Sequence, residues 1–331
     1  MTHTPPTFVA HDVSDLLNSL PTLFGFRPSE SLIAVATHGP RRRFGFRLRM
    51  DIPAPDDVAE VASLAVAHLR HQGAEGAILI ALTDHQDVAL DLLDATHARL
   101  DDIELIVRAR ADGERYWTDE PGSSAAGTAY ETSDHHLAIV QAVAAGQQIL
   151  PDRGALADRF AAVTGERRWW LDHAAAAILD EVVPQVARTA PDDLAATGLA
   201  VVEPILDRLI AGRRASDADL LRVAAWVSSI AVRDAVWSRL TRENADDVLR
   251  ALTAVCAGVV PPFEPAVLSL TAFAAWLTGD GAQALMAVER ALRADPAYSM
   301  ARIILDVLQG GVSPAHWAGF EADTDSLSRR G

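Results

Sequence analysis

The sequence predicts an α/β domain with a mixed sheet of about five strands, followed by an all-α domain. Three observations lead there. Apolar runs of strand length alternate with helical patterns as far as Thr118. Beyond Thr132 no run has a strand pattern, and amphipathic stretches broken by Gly, Pro and Asn fill the rest. The 331 residues are half hydrophobic and 22% charged, enough to bury a sizeable core.

Asp12 or Ser14 is expected to cap a first helix running to about Leu20, with Pro21 opening a short second turn that Gly25 closes. Residues 31–37 read as an apolar strand and His38-Gly39-Pro40 as a turn. From Arg43 the alternation is regular. It places Phe44, Phe46, Leu48 and Met50 on one face and Arg43, Gly45, Arg47 and Arg49 on the other. A helix starts near Pro53 with acids at its positive end and stops at Gly73. Residues 76–83 are apolar without alternation, as expected of a central strand covered on both faces. Asp84 follows, then a helix from about Gln86 to Leu100, a strand over 103–110, a turn at Asp112-Gly113 and a return strand over 114–118. Residues 119–132 are polar and small, and read as a loop.

The domains expected are an α/β unit over 1–150, a helical unit over 151–320 and a polar tail over 321–331. Within the helical part, residues 266–298 read as helix, a Thr278-Gly279-Asp280-Gly281 turn, then a second helix with small Ala284 and Ala291. That resembles a tetratricopeptide helical hairpin, and the helix over 300–310 would stack on it. The spacing of 31 between Trp276 and Val307 falls short of the tetratricopeptide period, so one pair is expected and not an array.

The block over 16–53 combines Leu16-Leu17, Leu20-Pro21, Gly25-Phe26, Pro28, Ser31-Leu32, an Arg-rich turn and Asp51-Ile52-Pro53. Together with Thr83-Asp84, Tyr116-Trp117, Gly146, Ile149-Leu150-Pro151 and Arg153, it resembles the bacterial domain of unknown function 4192 family. The resemblance covers roughly residues 12–165 and extends only loosely into the helical part. It implies no activity. Relatives often carry cysteines after the aromatic pair; residues 118–128 here have none, so no metal or redox role follows from the resemblance.

Charge and composition exclude several classes. All 29 basic residues other than histidine are arginine, so there is no lysine for a Schiff base or a phosphate-loop clamp. Net charge is −16, spread over both halves, which argues against extended nucleic-acid binding. Cys256 is the single cysteine, so neither an intramolecular disulfide nor a cysteine zinc site is available. The N-terminal residues lack a signal-peptide pattern, and the longest apolar run, 266–277, is too short to span a bilayer. A cytoplasmic protein without a membrane partner is expected.

Two candidate sites emerge. Arg43, Arg47 and Arg49 share a face in a stretch with no acid between Glu30 and Asp51, and guanidinium groups in a row hold carboxylates or phosphates well. The plainer reading is a solvated strand face or pairing with acidic helices. Asp84 and His85 follow the carboxyl end of the central strand, where open α/β sheets bind ligands, and could do acid–base work. The plainer reading has Asp84 capping the next helix and His85 facing solvent. His68 with His71, and His135 with His136, lack a third ligand, so no metal and no cofactor is expected. Trp169, Trp170, Trp226, Trp237 and Trp276 read as core, and Cys256 as a small buried hydrophobe. The expectation is an uncharacterised cytoplasmic protein acting as a non-catalytic binding or regulatory module. Its partner would be an unknown protein, with a homodimer conceivable. The alternative is an enzyme or sensor for a small anionic ligand held by the Arg face near Asp84-His85.

Overall fold

The computed structural model describes residues 10–317 and Gly319. The first helix, α1 (Val13–Phe24), starts where the Asp12 carboxylate accepts from the Asp15 amide at 2.8 Å. It stops at Gly25, whose φ of 73° lets its amide donate to the Pro21 carbonyl. The expected break at Pro21 does not occur. Leu16, Leu17, Leu20 and Phe24 form one buried stripe, worth about 1.5–3 kcal/mol per side chain, which outweighs the roughly 3 kcal/mol an internal proline costs.

There follow β1 (Ser31–His38), β2 (Arg43–Asp51), α2 (Val58–His71), β3 (Gly76–Leu82), α3 (Gln86–His97), β4 (Glu104–Ala111), β5 (Arg115–Thr118), β6 (Thr128–Ala129) and α4 (Leu137–Ala144). The strands make one mixed sheet in the order β2-β1-β3-β4-β5-β6, with β3 and β4 parallel and the other neighbours antiparallel. The sheet has six strands where about five were expected. The sixth is a two-residue piece inside the polar loop, pairing Ala129 with Arg115 and Thr128 with Tyr116. So short a strand has no alternation to read. All seven residues of β3 are buried, as its unbroken apolar run predicts. On one face Leu32, Ala34, Ala36, Ala77, Leu79 and Ala81 pack against α2 and α3. The small alanines let the helices approach closely.

The register of β2 corrects the regular alternation. Val35 pairs with Arg47, but Thr37 pairs with Phe44, so β2 carries one extra residue opposite Ala36. This bulge turns Phe44 away from the core, leaving it 41% exposed while Phe46, Leu48 and Met50 pack inward. Arg43 therefore lies on the opposite face from Arg47 and Arg49. Gly45 makes the bulge possible: a Cβ there would sit 2.6 Å from the His38 ring.

The chain divides into two compact units, Met1–Ala155 and Leu156–Gly331, with the division inside α5 (Arg153–Asp158). Among the described residues no strand follows β6. The second unit consists of α6 (Gly165–Arg188), α7 (Leu194–Ile210), α8 (Asp217–Val227), α9 (Ile230–Trp237), α10 (Ala245–Cys256), α11 (Glu264–Leu277), α12 (Gly281–Ala294) and α13 (Ser299–Gln309). Every residue of α11 is buried, and it packs against α10, α12 and α13. The longest apolar run of the sequence, 266–277, lies in this element. Within it Glu264 meets Arg290 of α12 at 2.6 Å, with both side chains buried. Cys256 is fully buried, and that burial pushes its thiol up to about 11.

Trp226 and Trp276 are buried as expected, but Trp169 and Trp170 are not; they are 52% and 59% exposed on the first turns of α6. Their rings stack edge to face on one another, and Trp169 lies 3.9 Å from the His173 ring. Self-association of aromatic side chains along one helix replaces core burial here. The tail expected over 321–331 lies outside the described residues. No helix among the described residues is long and apolar enough to cross a membrane.

Candidate functional site

β1 runs antiparallel to both its neighbours, so Ser31 at its start pairs with Asp51 at the end of β2 and with Leu82 at the end of β3. This register gathers Glu30, Ser31, Arg49, Asp51, Thr83, Asp84 and His85 at one end of the sheet.

Arg49 is the most constrained of the three candidate arginines. Its side chain is only 13% exposed; Nε donates to Ser31 Oγ at 2.7 Å and Nη1 meets Asp51 at 2.6 Å. Burial pulls its guanidinium below the ordinary arginine value and the nearby charge of Arg153 adds to that, while Asp51 opposes it. Ser31 in turn donates to the Ser29 carbonyl. That bond ties Ser31 to the backbone just before β1. Arg47 is exposed in mid-strand, paired in register with Val35. Arg43 pairs with His38 at the far end of the strand. The three arginines thus do not form one row.

Asp84 and His85 are exposed, at 77% and 69% of their side-chain surface, with their charged atoms 3.8 Å apart. Asp84 does not cap α3. The residue at the helix start is His85, and its amide donates to the Thr83 hydroxyl at 3.1 Å. Thr83, only 3% exposed, donates from that hydroxyl to Glu30 Oε2 at 2.7 Å. Glu30 has a φ of 43°, a left-handed conformation uncommon outside glycine. Sequence reasoning missed Glu30 and Thr83, because only the β1–β3 register brings residues 53 positions apart together.

The two candidate sites share an end of the sheet. Arg49 pairs with Ile33, on the side of Ser31 and Leu82. Thr83 continues the β4-side ladder through its amide bond to the Ala111 carbonyl, and by alternation points to the side of Ala81, α2 and α3.

Two concavities lie elsewhere. A polar one of about 300 Å³ is lined by Thr37, Gly39, Arg42, Glu75 and Glu104; Arg42 pairs with Glu104 at 2.8 Å and Glu75 accepts from the Gly39 amide at 3.0 Å. In the helical unit an apolar groove of about 350 Å³ is lined by Leu179, Val182, Val183 and Val186 of α6, with Ala225 and Phe263. Val183 is 55% exposed.

A model of the domain of unknown function DUF4192 matches residues 14–315. The chain belongs to this family. The DUF4192 match runs well beyond the segment that carries the resemblance in the sequence, and takes in both units. Comparison with curated proteins and with solved structures gives no match. The DUF4192 description names no activity, so the chemistry rests on the residues of this chain.

The four histidines of the two pairs sit in different surroundings. His68 is buried against the Phe46 ring at 6.2 Å, and burial, followed by the charge of His71, lowers its pKa. His136 lies 3.3 Å from Asp15, while His135 is exposed. Among the described residues, the group whose potential ligand atoms all lie within 4.8 Å of one another is Glu30, Asp84 and His85.

Proposed function

We propose that this member of the family is a non-catalytic cytoplasmic binding or regulatory module, and that its helical unit supplies the contact surface. The observation that carries this reading is the apolar groove beside α6, where Val183 is 55% exposed; the same helix exposes Trp169 and Trp170 nearer its start. An exposed apolar groove of this kind marks protein contact sites. Aromatic side chains also dominate the energetics of such contacts. The hairpin of α11 and α12, with α13 stacked on it, is proposed as a tetratricopeptide-like element supporting that surface. A partner protein, or a second copy of this chain, would lay an apolar helix face into the groove.

The alternative, an enzyme or sensor for a small anionic ligand, is favoured by Arg49, a nearly buried guanidinium with the charge of Arg153 close by. Photocrosslinking from position 183 of the full chain in its own cell extract tests the first reading. The expected result is a discrete protein adduct that Val186→Asp abolishes. If no adduct forms, and native mass spectrometry instead finds a small anion that Arg49→Met releases, the second reading replaces it.

A further inference from the structure

Two carboxylates and an imidazole converge at an exposed corner of the first unit that neither the core nor the helical contact surface uses. Glu30 reaches it from the start of β1, and Asp84 and His85 from the end of β3. Their potential ligand atoms all lie within 4.8 Å of one another. Two like charges held that close repel, and in this arginine-rich chain an arginine would be the usual remedy. Among the described residues none reaches either carboxylate. Glu30 is bonded by the Thr83 hydroxyl, and the ion partner of Asp84 is His85 itself. The donor set is mixed, nitrogen with oxygen, so the corner is more than an acidic patch.

The corner is also held in place from beneath. Thr83 is buried, and its single hydroxyl both donates to the Glu30 carboxylate and accepts from the His85 amide. The bond to the Glu30 carboxylate is the kind of support that outer-shell partners give a metal ligand, while the bond to the His85 amide fixes that residue's backbone. We propose that Glu30, Asp84 and His85 bind one divalent transition-metal ion of the zinc class. Three protein ligands with water in the remaining position is a composition that zinc accepts, and imidazole with carboxylate suits it. Calcium, which takes six to eight oxygens, and magnesium, which rarely uses imidazole, fit the set poorly. Because the ligands come from two strands, the ion would tie the start of β1 to the end of β3.

Calorimetric titration of the full-length chain with zinc chloride, after chelator treatment, tests the site. The expected result is one ion per chain and a thermal midpoint raised by zinc but not by calcium. Glu30→Gln and His85→Ala each change an exposed side chain and should weaken zinc binding at least tenfold while the circular dichroism spectrum stays native. His71→Ala and His135→Ala, which alter exposed histidines elsewhere, should leave it unchanged. Absence of zinc binding, binding that survives both Glu30→Gln and His85→Ala, or a preference for calcium would each overturn the proposal.

Discussion

Arg290 is 3% exposed and gathers three partners from separate segments: the Glu264 carboxylate, the Cys256 carbonyl and the Ala161 carbonyl. Its value lies in what its loss would leave behind. Arg290→Ala strands a buried carboxylate without a counter-charge and should cost about 3–5 kcal/mol, read as a lower midpoint in urea. Replacing the pair together, Glu264→Leu with Arg290→Met, should recover most of that loss. A single variant as stable as the parent would mean that Glu264 finds water or another donor. Nothing in the sequence pairs these two residues, 26 positions apart on different helices. The same limit hid Thr83 beneath Glu30. Arg49, Asp84 and His85 were visible as residue types, but their environments were not. Exposure and face follow from register, which no local pattern encodes.

At the scale of elements, most boundaries follow from local chemistry: Asp12 as the cap of α1, Gly25 as its stop, the unbroken apolar run of β3. The failures have physical causes. An amphipathic stripe carried α1 through Pro21, and a bulge near the start of β2 broke an alternation that reads correctly from Phe46 to Met50. The junction of α1 and α4 carries a pH dependence. The Asp15 carboxylate accepts from the His11 amide at 3.1 Å and lies 3.3 Å from His136 Nε2 at the start of α4. The His11 bond, with His136 adding to it, holds Asp15 below the ordinary carboxylate range. A group depressed in the folded state contributes stability that is fully present above its unfolded pKa, near ~3.9. That share is lost as pH falls through the lower folded value. The gap in Tm between the parent and Asp15→Asn should therefore close as the pH drops below about 4. A gap of the same size at pH 7 and pH 2 would remove Asp15 from the account.

For the whole molecule, 29 arginines against 45 acids leave a net charge of −16, with no lysine to form flexible basic tracts. Duplex DNA should therefore migrate unshifted in a gel-retardation assay with this chain even at low salt. A shifted band that salt dissolves would point to a basic patch stronger than the one on β2. The two-part architecture was legible because strand and helix patterns segregate along the chain. The exposed tryptophans of α6 were not, since an apolar residue on a helix carries no mark of what covers it. The two outer strands of the sheet also limit how this protein can meet others. On one side β2 is kinked by its bulge and studded with arginines; on the other β6 is only two residues long. The bulge, the arginines and the shortness of β6 all disfavour pairing of an incoming strand at those edges. Fibrous stacking of the N-terminal unit through those edges is thereby disfavoured, and a partner meeting them gains more from side chains than from backbone.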